Sequence, residues 1–240
     1  MDESGFFAQI PQHEVDCRGQ PVRMPLFYRR SRMLQVGVAM HTAQVEPLLP
    51  SPRLHPLRIA PGRCLMVVAV LQYTETDIGP YDEVLVGFPC TLDHVSPQFV
   101  GTLRNLPESL MVVHWLGVST ELALHAGDEL LYTRKFMAQF AFEDGEEGWV
   151  SALVSQGGQG LLRLGVRPGE ARAIGRERHA MLSVHGRHLL RWDFLTSEHV
   201  AGVSQHGGDA LLEWGAHPKG REMARLDLGG IVGARHSARH

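Results

Sequence analysis

Two long apolar runs, RCLMVVAVLQYTE (63–75) and EVLVGFPCTL (83–92), bracket the stretch TDIGPYDE, whose Gly-Pro pair marks a turn. Both runs are rich in branched aliphatic residues, and neither has the 3.6-residue spacing of an amphipathic helix. They read as neighbouring strands of a sheet. RMLQVGVAMH (32–41) alternates as a third strand, and TAQVEPLLP (42–50) reads as a short helix with Thr42 as its cap and Pro50 just past its end. A Pro-rich loop, PSPRLHPLRIAPG, leads into the first apolar run.

Farther on, RNLPESLMVVHWLGVSTELALHAGDELL (104–131) reads as mostly helical, interrupted at Gly117. The segment ELLYTRKFMAQFAF (129–142) reads as a strand and is followed by the acidic turn EDGEEG (143–148) and the strand WVSALVSQGG. HAMLSVHGRHLLRWDFLTS (179–197) reads as a hairpin turning at His185–Arg187. ALLEWGAH is a last strand, PKGREMARLDLG a short terminal helix, and GARHSARH a loose tail. Many strands, few helices and no β-α-β-α rhythm point to an α+β, mainly β fold. No 20–50-residue repeat and no linker is present, so the expectation is a single domain over 1–240. Its arm covers about 1–22 and its loose tail about 232–240.

Composition excludes several function classes. Among 240 residues the formal net charge is −3, which gives no electrostatic pull toward nucleic acid or an anionic membrane. No apolar run reaches the roughly 18–20 residues of a membrane-spanning helix. The acidic N-terminus, MDESGFFAQIPQHEVD, is neither a secretory signal nor an Arg-rich transit peptide. Cys17, Cys64 and Cys90 are odd in number and widely spaced, which fits neither a disulfide framework nor a C-x-x-C metal site. A reducing, cytoplasmic setting is expected.

Three conspicuous features read as ordinary. The glycines of SQGGQGLLRLG precede another strand rather than a helix, so they make a hairpin loop and not a phosphate cradle. The fourteen histidines include no H-E-x-x-H and no cluster with Cys or carboxylate at ligand spacing, so no metal is expected. No G-x-S-x-G is present, and Ser183 with His185 on one strand does not make a hydrolase triad.

Lys135 does not read as ordinary. Only two of the twenty-three Lys and Arg residues are lysines, Lys135 and Lys219. An amine can lose its proton and attack a carbonyl, whereas a guanidinium effectively cannot. If 131–140 is extended, Leu131, Thr133, Lys135, Met137 and Gln139 share one face, with few acids to pair the lysine. One reading is a lysine snorkelling at a strand end. The other is a desolvated amine that condenses with a ketone to give an iminium, an electron sink for C–C cleavage or proton removal. The turn between the apolar runs carries Glu75, Asp77, Asp82 and Glu83. Acidic turns are commonly solvated, but Glu83 opens the next strand, where its carboxylate can be held in place.

Four segments, in order, resemble the acetoacetate decarboxylase family. They are RSRMLQVGVAMHTAQVEPLLP, LMVVAVLQYTETDIGPYDEVLV with its G-P-Y-x-E turn, LHAGDELLYTRKFMAQFAF, and EWGAHPKGREMARL, together spanning about 22–230. The resemblance implies a cone-shaped antiparallel β-barrel with a few flanking helices and an apolar interior, soluble and homo-oligomeric. It implies Lys135 as the Schiff-base lysine and Glu83 as the acidic pocket residue. Arg32, or Arg30, stands near the substrate-positioning arginine, and Tyr81, Met137 and Gln139 are further substrate-binding candidates. It implies a small keto-acid substrate, no cofactor and no metal.

Three departures stand out. Phe136 occupies the position where decarboxylases carry a second lysine, Arg134 stands where proline is usual, and CLMVVAVL (64–71) lacks the family's other carboxylate. The chemistry therefore stays open between decarboxylation and aldol condensation, dehydration or cyclisation, with a non-catalytic ligand-binding barrel as the alternative.

Overall fold

The computed structural model describes residues 4–8, 10–95, 109–197 and 199–239. In chain order the strands are β1 (His13–Cys17), β2 (Gln20–Met24), β3 (Tyr28–His41), β4 (Leu54–Pro56), β5 (Arg58–Ala60), β6 (Arg63–Thr76), β7 (Tyr81–Leu92), β8 (Leu110–Val118) and β9 (Lys135–Met137). They continue with β10 (Gln139–Asp144), β11 (Val150–Gln156), β12 (Gln159–Val166), β13 (Ala171–Ile174), β14 (Glu177–His185), β15 (His188–Thr196), β16 (His199–Ser204), β17 (Ala210–Trp214) and β18 (Leu228–Arg239). Among the described residues the α-helices are short: Ser4–Phe7, Thr42–Val45, Glu121–His125 with a wide turn through Leu130, and Pro218–Ala224.

A large sheet runs in the order β13-β16-β18-β3-β6-β7-β8-β14-β15, with β4, β5 and β9 attached to its flanks. A four-stranded sheet, β10-β11-β12-β17, packs against one of its faces, and β1 and β2 form a separate hairpin. The mainly-β expectation holds. The barrel differs in one respect: among the described residues, the hydrogen-bonded path of the large sheet runs open instead of closing on itself.

Alternation on β3, β6 and β7 decides which side chains go where. Leu34, Val36, Val38, Val68, Val70, Val84, Val86 and Phe88 point into the core under the small sheet, where they meet Val154, Leu162, Leu164 and Met223. Burying each such side chain contributes about 1.5–3 kcal/mol. The opposite face is buried as well, with Leu65, Val67, Ala69 and Leu85 on it. Covering both faces is why β6 and β7 read as nearly unbroken apolar runs rather than as alternating ones.

Several expectations are corrected here. Residues 110–118 form β8 and not a helix; the helix is confined to Glu121–Leu130, while 104–108 lie outside the described residues. MVVHWLGV is β-branched and aromatic, and its pairing with β7 outweighs any helical spacing. Thr42 does not cap its helix: the N-cap position is His41, without a side-chain capping bond. The tail is not loose, because β18 pairs with β3 from Leu228↔Met40 to Arg239↔Ser31. The later part of the arm, from His13 on, is the β1–β2 hairpin.

Candidate functional site

β7 begins directly after a tight turn. Thr76 Oγ1 accepts from the Ile78 amide at 3.1 Å and donates to the Gly79 carbonyl at 2.6 Å, and Gly79 takes φ +81°, which suits a residue without Cβ. This turn brings Tyr73 of β6 opposite Tyr81 of β7 and Leu71 opposite Glu83. Directly paired residues share a face, so Tyr73, Tyr81 and Glu83 stand together. Tyr28, at the start of β3, joins them: its ring centroid lies 4.7 Å from that of Tyr73 and 6.4 Å from that of Tyr81.

Lys135 reaches this face from β9, which lies parallel to the end of β8 with Lys135 beside Leu116. Its Nζ is 2.9 Å from Glu83 Oε2 and 5.8 Å from the centre of the Tyr81 ring. The ion pair is withdrawn from water: the side chains of Lys135 and Glu83 are 5% and 11% exposed. Burial pushes the hydroxyls of Tyr28, Tyr73 and Tyr81 well above the ordinary phenol range, and the Glu83 charge adds to it. The three tyrosines are therefore neutral hydrogen-bond donors at any ordinary pH. Tyr81 Oη donates to Tyr28 Oη at 3.3 Å.

The approach to Lys135 is not the regular strand expected from 131 to 140. The chain folds round the Gly127 carbonyl, which accepts from the amides of Leu131 and Thr133 and from Thr133 Oγ1, at 3.1–3.2 Å. Tyr132 and Arg134 adopt φ values of +52° and +49°, a left-handed conformation that costs a side-chain-bearing residue about 1–2 kcal/mol. The Lys135 amide then donates to Asp128 Oδ1 at 2.7 Å. A Cβ on Gly127 would overlap the Lys135 side chain at Cγ, Cδ and Cε, so glycine leaves the space that the lysine stem occupies.

The structure brings together Lys135, Glu83 and Tyr81, with Met137 packed in the apolar cluster round Tyr81. It does not bring the other candidates there. Arg32 pairs in register with Gln72, one residue out of phase with the Met33–Leu71–Glu83 row, and so faces the opposite side of the sheet. It donates to Asp144 Oδ1 at 3.1 Å, lies over the Phe142 ring, and lines a pocket of about 330 Å³ with Ser31, Gln72, Thr74 and His236. Arg30 is an exposed partner of Glu75 at 3.4 Å. Gln139 follows a break in the strand at Ala138 and is exposed on β10. Phe136 points into the core against Trp115, and Arg134 is exposed, so neither position supplies a second cation beside Lys135.

Five contributors escaped the sequence reading. Tyr73 and Tyr28 were legible only once the β6–β7 and β3–β6 registers were known. Gly127 had a signal, a glycine inside an otherwise helical stretch. Asp77 reads as a solvated turn acid, but its side chain is only 6% exposed and accepts from Gln12 Nε2 at 2.6 Å, the Phe27 amide at 2.9 Å and Arg29 Nη1 at 2.8 Å. Burial opposes its charge, yet those donors outweigh burial and hold its carboxyl below the usual range. Asp77 thereby ties Gln12 and the start of β3 to the turn that carries Tyr81 and Glu83. Asp128, the acceptor for the Lys135 amide, is the fifth.

Residues 11–240 match the family model described as acetoacetate decarboxylase. The chain belongs to the acetoacetate decarboxylase family. No curated protein matches it. Among solved structures it is similar to acetoacetate decarboxylase from Legionella pneumophila, at a TM-score of 0.64 and 12% identity over 98% of this chain and 90% of that one. An acetoacetate decarboxylase-like enzyme from Sphingomonas wittichii aligns at a TM-score of 0.54 and 18% identity, over 95% and 96% of the two chains. The enduracididine biosynthesis enzyme MppR, complexed with pyruvate, aligns at 0.55 and 13%, over 87% and 84%. At these identities the likeness is one of fold.

Among the described residues no group of His, Cys, Asp and Glu is arranged to hold a metal, and no helix is long and apolar enough to cross a membrane.

Proposed function

We propose that this protein is a Schiff-base enzyme acting on a small keto acid, with Lys135 as the nucleophile and Glu83 as its proton partner. The observation that carries the reading is the withdrawn pair, Lys135 Nζ 2.9 Å from Glu83 Oε2 beneath three neutral tyrosines. Proton transfer from Nζ to Glu83 turns the ion pair into a neutral pair and frees the amine lone pair. Such a transfer is far less costly in a dry site than in water.

The amine then adds to the substrate carbonyl carbon. The carbinolamine oxygen leaves as water, taking a proton that Glu83 returns, and an iminium remains on Lys135. In a β-keto acid the electrons of the bond to the carboxyl carbon flow into this iminium. Carbon dioxide departs, the resulting enamine is protonated at carbon, and water releases the ketone. With an α-keto acid the same iminium can instead lose a proton to give an enamine that attacks an aldehyde. Phe136 lies in the core and Arg134 in solvent, so neither supplies the second cation of the decarboxylase pattern, and both branches stay open. MppR with bound pyruvate is a relative by fold. Buried, free Cys17, Cys64 and Cys90 suit a cytoplasmic setting.

Lys135→Arg is the informative variant. It keeps a cation beside Glu83 and removes the nucleophile. Turnover of acetoacetate, read as released carbon dioxide, or of pyruvate with an aldehyde, read as the condensation product, is expected to disappear in the variant. Turnover that survives the substitution contradicts the proposal, and saturable binding without product supports a ligand-binding barrel instead.

A further inference from the structure

Among the described residues the sheet face that carries Glu83 holds one ammonium, Lys135, and that ammonium already faces a carboxylate. A keto acid brings a second negative charge into the site. The nearby guanidiniums are engaged elsewhere. Arg29 Nη1 lies 2.8 Å from Asp77 Oδ1. Arg18 pairs with Glu129 and Arg30 with Glu75, all four exposed, and Arg32 faces the other side of the sheet. Lys219 Nζ stands 4.7 Å from the centre of the Phe136 ring, against the core side of β9.

Neutral donors remain, and they are not equivalent. Tyr81 is buried and gives its hydroxyl proton to Tyr28 Oη. The Tyr73 ring packs against both of these tyrosines, with centroids 4.7 Å from Tyr28 and 4.9 Å from Tyr81. Tyr73 is only half-buried, and among the described residues its hydroxyl makes no hydrogen bond and is not sealed from solvent. It pairs in register with Tyr81, two residues from the Leu71–Glu83 pair and on the same face. Burial and the Glu83 charge both keep its proton in place. Tyr73 is thus a positioned donor without an acceptor, on the face where Lys135 meets Glu83.

We propose that Tyr73 Oη anchors the carboxylate of a keto-acid substrate, donating a hydrogen bond to it while the keto carbon lies at Lys135 Nζ. The inference rests on Lys135 as the Schiff-base lysine. A phenol suits the position for two reasons. A guanidinium on this face would compete for Glu83 and loosen its contact with Lys135 Nζ, whereas a neutral donor leaves that pair intact. A guanidinium would also stabilise the ground-state carboxylate, which opposes any step that discharges it as carbon dioxide. A single neutral hydrogen bond positions the acid with less of that opposition. The substrate class is then a ketone bearing a carboxylate, recognised by a phenol in place of an arginine.

Borohydride trapping on the full chain tests this, with pyruvate and acetoacetate as the acids and acetone as the neutral ketone. The quantity read is the concentration that half-saturates adduct formation on Lys135, in the parent and in Tyr73→Phe. A hydrogen bond to a charged acceptor is lost, so the variant should need about 10- to 100-fold more keto acid. Acetone has no carboxylate to lose, and its value should stay within about twofold. The deleted hydroxyl has no internal partner, so the melting temperature should not change. If the parent forms the adduct and Tyr73→Phe saturates with keto acids at the same concentration, the anchor is overturned while the Schiff-base reading stands. An equal loss for acetone and keto acids marks general damage to the site and also overturns the anchor. A parent that forms no adduct on Lys135 with any of the three overturns both.

Discussion

Replacing Glu83 with leucine while leaving Lys135 in place strands an ammonium in a site where its side chain is only 5% exposed. Removing one partner of a buried ion pair costs about 3–5 kcal/mol, because the remaining charge has lost both water and its counter-ion. Lys135→Met does the same to the carboxylate. For a chain of this size, each kilocalorie lowers the melting temperature by about 2–4 °C, so each single variant should melt about 10 °C lower. The double variant, Glu83→Leu with Lys135→Met, removes both charges and fills the space with apolar atoms. It should return to within about 1 kcal/mol of the parent, or exceed it, because buried pairs are often no better than well-packed apolar replacements. Urea unfolding of all four proteins gives the coupling energy directly. A coupling of about 3 kcal/mol or more is expected, together with complete loss of turnover in the stable double variant. If the single variants cost under about 1 kcal/mol each and simply add, the pair is not a withdrawn one, and the argument for an activated lysine fails with it.

Gly127→Ala places a methyl group where the Lys135 stem runs. The lysine side chain can swing aside, so the protein should fold, but Nζ leaves Glu83. An ångström-scale displacement of a nucleophile is worth about 100-fold in rate, so kcat should fall by that order with an unchanged circular dichroism spectrum; turnover within twofold of the parent would show that the stem position is not required. Acid stability reports a different cluster. The Glu177 carboxyl is held down at about 2 by its hydrogen bond to His179 and then by Arg235, whose Nη2 lies 2.9 Å from Glu177 Oε2. A depressed carboxyl contributes stability above the ordinary value of 4.5 and loses it as pH falls toward about 2. Between pH 5 and pH 2 this should remove about 2–3 kcal/mol, and Glu177→Gln should flatten that part of the profile; an unchanged profile would count against the cluster.

The sequence was most informative where one constraint dominated. Strands β3, β6 and β7 were legible because their apolar runs are long and their turn is marked by Gly79–Pro80. The β14–β15 hairpin was legible because Gly186 punctuates it. Lys135 and Glu83 stood out on residue type and context, and the structure sets them 2.9 Å apart. What failed depended on contacts distant in sequence. MVVHWLGV reads as helical because nothing local announces that it pairs with β7 over 83–90. GARHSARH looked like a tail because the pairing of β18 with β3 spans nearly the whole chain. Arg32 was placed with the substrate because a one-residue uncertainty in register is invisible in sequence, and one residue on a strand moves a side chain to the other face. The tyrosine cluster needed three strands in register before its members met.

Trapping on Lys135 tests the central claim most directly. The protein is incubated with acetoacetate or pyruvate, reduced with borohydride, digested, and mapped by peptide mass spectrometry. The account predicts one secondary amine on the peptide containing Lys135 and none on Lys219. The added mass is that of the decarboxylated ketone if carbon dioxide is lost and that of the intact keto acid if the carboxyl group is retained. Folded protein that turns over or binds these compounds without any adduct at Lys135 would contradict it.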